Sequence, residues 1–230
     1  MKNSLAISVY TSNGKTRSFP VFYSKGEEIF NAVSHIVGGA IGFAALVIGL
    51  IFAYPSAVAM AAVAVFGVSI IILYTMSALY HFLRNGRAKA VFRIFDHCTI
   101  FLLIAGTYTP YCLIALGGTG VGLGILIAEW TMAVLGITGN AIAMNNKVIK
   151  GFSMAFYCVM GWLILIAFVP LYAALPTASF WLLLAGGIAY TAGIAFYAFG
   201  KKVKYFHSIW HLFDIAGTVL QFLSILLMII

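Results

Sequence analysis

The stretch "FHSIWHLFDIAGTVLQFLSILLMII", Phe206 to Ile230, closes the chain. Nearly everything after Asp214 is hydrophobic, and the segment is long enough to cross ~30 Å of hydrocarbon at ~1.5 Å per helical residue. It reads as a membrane helix. Its opening turns nevertheless carry two histidines and an acid, His207, His211 and Asp214. Such side chains are costly in a bilayer, so their placement calls for a reason.

The rest of the chain has the same character. Of 230 residues, 63% are hydrophobic and 8% charged, against roughly a quarter charged in a soluble domain. A water-soluble core could not hide that much apolar surface. Seven apolar segments are legible, at 29–53, 57–82, 94–116, 120–143, 151–173, 178–199 and 206–230, separated by "YPS", "RNGRAK", "GGTG", "NNKVIK", "ALPT" and "GKKVK". The expected fold is an all-α membrane protein of seven transmembrane helices, integral to the plasma membrane. No internal repeat is obvious.

Charge orients it. Lys2, Lys15, Arg17 and Lys25 lie in the tail, and Arg84, Arg87, Lys89 and Arg93 in or beside the second loop. Lys147 and Lys150 lie in the fourth, and Lys201, Lys202 and Lys204 in the sixth. Loops one, three and five have none. The positive-inside rule puts the N-terminus in the cytoplasm and the C-terminus outside, and seven spans require the same parity. The net charge of +8 is therefore a topology signal, and a nucleic-acid partner is excluded. Residues 1–24 read as a cytoplasmic tail and 25–230 as the seven-helix domain. In the tail, Leu5, Ile7 and Val9 alternate ahead of Asn13-Gly14, which predicts a small hairpin or a loose tail. No secretory signal is evident, so the first span is expected to direct insertion. Ser24 and Glu27 have the spacing of a capping box at the first helix. Cys98, Cys112 and Cys158 fall inside apolar segments without metal-site spacing, and read as small buried hydrophobes.

On this topology the polar residues converge. The first span starts with Glu28, Asn31, Ser34 and His35; the second ends with Ser77 and His81; the third starts with Asp96 and His97; the seventh starts with His207, His211 and Asp214. All five histidines and both aspartates thus share the cytoplasmic depth. His207 and His211 are four residues apart, on one helix face roughly 6 Å from each other. Asp214 lies near the same face, and Ser77 and His81 repeat the spacing. Three histidines suit zinc and leave a fourth position open. Zinc there would lower the pKa of a bound water to about 7, and Asp96 is the candidate to take its proton. The bland alternatives are histidines at the interface with their polar tips in water, His35 and His97 as hydrogen-bonding neighbours of a site, and Ser77 as a helix-packing serine. Glu129 stands apart in the outward half of the fourth span, either functional or a hydrogen-bonded packing residue, and is left outside the site. Pro110 and Pro170 kink or terminate their helices.

"SALYH" with Ser77 and His81, "FDHCTI" with Asp96, "HSIWH" with His207 and His211, and "EEIFNAVSH" in the first span together resemble the motifs of the hemolysin III family, which belongs with the progestin and adipoQ receptors. The resemblance runs from about residue 24 to the end. It implies a seven-helix protein with a cytoplasmic N-terminus and a zinc ion (Zn2+) near the cytoplasmic face. Its ligands would be His81, His207 and His211; Asp96 would contact the zinc-bound water, with Ser77 beside it. The receptor relatives and the wider superfamily of alkaline ceramidases imply hydrolysis of lipid amides or esters. Bacterial relatives imply a role in membrane-fluidity homeostasis, and the short tail and loops resemble that branch, which places the protein in a bacterial inner membrane. His97 and Asp214 have no role in the pattern.

Three functions follow, in order: a zinc-dependent lipid hydrolase with membrane lipids as substrate; a sensor or receptor-like regulator in which zinc only joins helices; and a cytolysin. An open coordination position beside a carboxylate favours the first. A fourth protein ligand, from His35 or His97, would favour the second. The third fits least, since the polar residues are confined to one end and line no continuous channel. An apolar cavity open sideways to lipid would point to an acyl chain. Gly38, Gly39 and Gly42 permit close helix contacts, within one molecule or between copies.

Overall fold

The computed structural model describes residues 6–10, 16–20, 23–200 and 202–230. Strands β1 (Ala6–Tyr10) and β2 (Thr16–Pro20) pair antiparallel, with Ile7 opposite Phe19 and Val9 opposite Arg17. The two strands pair as the arms of the expected hairpin would. The Asn13-Gly14 turn expected to close it lies outside the described residues.

Among the described residues eight α-helices follow and build seven spans long and apolar enough to cross a membrane. They are α1 (Lys25–Ala53), α2 (Ala57–Phe82), α3 (Arg87–Pro110), α4 (Gly120–Ala143), α5 (Lys147–Trp162), α6 (Phe168–Ala174), α7 (Thr177–Phe199) and α8 (Phe206–Ile229). A π-helical turn, Tyr111–Ala115, extends α3, and a 3-10 segment, Leu163–Ala167, joins α5 to α6 into the fifth span. All seven expected spans are present. Helices α1, α3 and α5 begin several residues before the apolar segments, because helical hydrogen bonding continues into the polar interface where hydropathy has already fallen. Ser24 caps α1 as its spacing predicts: the Glu27 amide donates to Ser24 Oγ at 3.4 Å and the Ser24 amide to Glu27 Oε2 at 2.8 Å. Such a cap contributes about 1 kcal/mol.

Both prolines mark irregular backbone. Pro110 ends α3, and the next turn widens so that the Leu116 amide reaches Tyr111 O at 2.9 Å. Pro170 sits in the short α6, just beyond the 3-10 segment, where its missing N–H breaks the regular ladder.

The spans pack in chain order, α1 on α2, α2 on α3, α3 on α4 and α4 on α5, and α8 returns between α7 and α1. The join between the fifth span and α7 is the loosest. Helix α3 is the most enclosed, with 67% of its most apolar window buried against 17% for α7, so the other spans are arranged about it. The usual polarity is inverted: Ile29, Phe43, Ile142 and Ile188 are exposed, whereas Asn31, Ser69, Ser77, Thr218 and Ser224 are buried. With lipid outside, helices gain little from hiding leucine; close packing and hydrogen bonds join them instead. A Cβ on Gly42 would stand 2.5 Å from Ile70 Cγ2, and one on Gly38 would stand 2.8 Å from the Tyr74 ring. These glycines serve the α1–α2 contact within the chain. Deeper in, the hydroxyls of Tyr74 and Tyr190 both bond Thr218 Oγ1 at 2.7 Å.

Candidate metal centre

The last turn of α2 brings in His81, and the first two turns of α8 bring in His207 and His211; all three are buried. One nitrogen from each lies within 4.8 Å of the other two. Helix α8 is set by the loop before it. Tyr205 holds a left-handed φ of 64°, unusual for a non-glycine residue, and its amide donates to Glu27 Oε1 at 2.8 Å. Glu27 thus serves both the α1 cap and the start of α8. One turn on, Ser208 Oγ donates to Asn31 Oδ1 at 2.7 Å and ties α8 to α1.

Hydrogen bonds set the tautomers. His81 Nδ1 lies 2.7 Å from Glu28 Oε2. A carboxylate only accepts, so Nδ1 carries the proton and Nε2 is a bare lone pair. Ser34 Oγ donates to Asn31 O at 3.0 Å, so at 3.4 Å it accepts from His211 Nδ1. His211 Nε2 is then also a lone pair, 3.2 Å from His207 Nε2. Two nitrogens on one tetrahedral zinc, at ~2.0–2.1 Å each, stand about 3.3 Å apart. A single N–H···N bond would also explain the histidine pair. It would leave His81 Nε2 alone, buried with no hydrogen-bond partner among the described residues. A cation satisfies all three nitrogens together, so the donor set fits a metal.

The carboxylate behind His81 is itself anchored. Lys89 Nζ lies 2.9 Å from Glu28 Oε1 and also donates to Tyr80 O at 2.9 Å and Leu83 O at 3.2 Å. Read in sequence as a topology charge, Lys89 is buried and caps the carbonyl end of α2. Tyr23, just before α1, covers the cluster, its ring stacked on His207 with centroids 4.5 Å apart. Burial, and after it the neighbouring Tyr80, push the Tyr23 pKa well above the ordinary tyrosine range, so it remains a neutral phenol. Neither residue stood out in the sequence. Lys89 is one basic residue in a basic loop, and Tyr23 precedes the first helix with no spacing relation to any histidine.

The remaining polar residues separate. Asp96 lies beside His97, 3.3 Å from its Nδ1, and His81 and Ser77 are among the other groups it feels most strongly. His97 Nε2 is 3.4 Å from Tyr197 Oη. His35 stacks on His211 at 3.7 Å between centroids. Among the described residues the metal-capable group is these three histidines, and neither His35 nor His97 joins it. Asp214 stays near the His207/His211 face but lies one turn further along α8 than His211, where it meets His35 Nε2 at 3.7 Å. Glu129 is buried far from the cluster, with neither carboxylate oxygen hydrogen-bonded among the described residues. Cys98 and Cys112 are buried as expected, but Cys158 is exposed, facing where lipid would lie.

A cavity starts at Asp214 and Tyr197 and runs among α3, α5, α7 and α8 to Gln221. Tyr197 also packs near His207, with ring centroids 5.9 Å apart, so cavity and histidine cluster share a wall. The mouth lies between α5 and α7, where Cys158 and Thr191 are both exposed lining residues. That is the loosest join of the bundle, and it opens sideways.

Comparison with known proteins agrees with this architecture. A family described as Haemolysin-III related matches residues 23–222. A protein named Hemolysin-3 homolog from Bacillus subtilis (strain 168) is 41% identical over 202 residues, covering 87% of this chain and 93% of that protein. Hemolysin-3 from Bacillus cereus is 42% identical over 202 residues, covering 87% and 90%.

Proposed function

The chain belongs to the haemolysin III family, and on that premise we propose that it is a zinc-dependent hydrolase of acylated membrane lipids, acting on amides or esters in membrane lipid homeostasis. The observation that carries this reading is the convergence of three buried imidazole nitrogens, with no fourth protein ligand among the described residues, beside a lipid-open apolar cavity.

His81, His207 and His211 would hold the zinc. Zinc in such a site supplies Lewis acidity, polarising a carbonyl oxygen and acidifying water. Glu28 fixes the ring of His81 through Nδ1, and Ser34 does the same for His211. Asp96, held by His97, takes the proton of the attacking water on a carboxylate oxygen. Ser77 Oγ donates to the oxygen on which charge develops. The cavity receives the acyl chain, entering between α5 and α7, and its apolar wall keeps bulk water from the reacting carbonyl.

A second reading keeps the zinc and drops the chemistry: the ion joins α2 to α8 in a sensor or regulator. The ligand set favours it to this extent, that those helices are not sequence neighbours and a metal would tie them. The name hemolysin, carried by the relatives, points to cytolysis; against a pore, the outer faces are apolar and the buried polar side chains beyond Asp214 on α8, Thr218, Gln221 and Ser224, are taken up by hydrogen bonds to neighbouring helices.

Metal content of the detergent-purified protein separates these readings. About one zinc per chain is expected, lost in His81→Ala and His211→Ala. Asp96→Asn should retain the metal and lose lipid amide or ester hydrolysis. No stoichiometric metal in wild type would end the catalytic reading; metal without hydrolysis of either lipid class would leave the regulator.

A further inference from the structure

Asp214 is a carboxylate within a membrane span, 7% exposed, facing the cavity. Among the described residues it accepts no hydrogen bond; its nearest partner, His35 Nε2, is 3.7 Å away, beyond hydrogen-bond reach. The hydroxyls one turn on along α8 are engaged elsewhere, since those of Tyr74 and Tyr190 both bond Thr218. Among the described residues no lysine or arginine lines the cavity. A carboxylate so placed needs a counter-charge or a strong donor, and the described residues offer only the His35 ring at 3.7 Å, with no hydrogen bond.

The rest of the wall indicates what would. Beyond Asp214 the cavity is lined by Leu73, Ile100, Leu103, Ile104 and Ile194, a surface for a hydrocarbon chain. From Asp214 to Gln221 this wall extends for about 10 Å along α8. At the polar end, the rings of Tyr190, Tyr197 and Trp210 line the same space as the carboxylate. Aromatic faces beside an acid favour an organic cation. A fatty acid lying the same way would set carboxylate against carboxylate.

We propose that the cavity binds a long-chain amine, with Asp214 accepting the hydrogen bonds of its ammonium group and the apolar wall taking the chain. This rests on the reading of the cavity as a lipid-chain site. It does not require the metal.

The test is a binding titration on the detergent-purified full chain, followed by quenching of tryptophan fluorescence, since Trp162 and Trp210 line the cavity. The probes are hexadecylamine, hexadecanol and palmitic acid, each added to metal-loaded and to chelator-treated protein. The amine is expected to bind at least tenfold tighter than the alcohol or the acid, as a charge-assisted hydrogen bond predicts, in both preparations. Asp214→Asn, nearly isosteric, and Asp214→Leu should bring the amine to the level of the alcohol while the alcohol binds as before; unchanged melting temperatures show that the variants fold. Equal binding of the three probes to wild type overturns the proposal. So does an amine preference that survives both substitutions, or one that disappears with the metal. An amine preference in a protein that never binds zinc would leave this inference standing and remove the hydrolase.

Discussion

Glu28 offers the sharpest test of the candidate metal centre, because it would act on a bound ion only through His81. Its carboxylate makes two charge-assisted contacts, 2.7 Å to His81 Nδ1 and 2.9 Å to Lys89 Nζ. Hydrogen bonds to charged groups contribute about 1.5–3 kcal/mol each. Losing the one to His81 frees the imidazole to turn or change tautomer, so its Nε2 lone pair no longer points at the other two nitrogens. About 1.4 kcal/mol is tenfold in affinity, so Glu28→Ala should weaken zinc binding by about 10- to 100-fold, the range usual for a residue that orients a metal ligand. Glu28→Gln keeps a carbonyl that can accept from Nδ1 and should lose about tenfold or less. The assay is competition for zinc against a chelator of known affinity, on protein in detergent. An affinity in Glu28→Ala within twofold of wild type would refute the argument, since His81 would then need no partner to hold its ring. A loss confined to melting temperature would instead assign Glu28 to anchoring Lys89 at the end of α2.

Two further substitutions examine the packing. Gly42→Val places a Cβ 2.5 Å from Ile70 Cγ2, and overpacking of this kind costs about 1–3 kcal/mol; a lowered melting temperature in detergent is expected, and an unchanged one would mean that α1 and α2 can separate freely. Glu129 buries both carboxylate oxygens without a hydrogen bond among the described residues, so Glu129→Leu should raise thermal stability by about 1–3 kcal/mol; a large loss would reveal a partner that the bundle hides.

Much of the architecture was legible in the residues. The spans follow from hydropathy, because a bilayer accepts only chain that satisfies its own backbone. The α1 cap follows from Ser24 and Glu27, which are close in sequence and so meet in any helix that starts there. His207 and His211 share a face for the same local reason. What lies between helices was not legible. Five histidines share one depth, and depth cannot say which face of its helix meets a common point. His35 and His97 fit the depth as well as His81 does, yet one stacks behind His211 and the other turns to Asp96.

By itself, then, the sequence determined the number of spans and the end of the bundle where the histidines gather, since these depend on composition and on contacts within a few residues; its charge pattern gave an expected sense in the membrane. The family resemblance named His81 with His207 and His211, and the tertiary structure brings their nitrogens together; the tertiary structure alone decided that Glu28 and Lys89 stand behind His81 and that Asp214 faces a cavity. Those outcomes depend on how α1, α2 and α8 rotate against one another. That rotation is set by glycine contacts and interhelical hydrogen bonds between residues as far apart as Glu27 and Tyr205, pairings that no local period encodes.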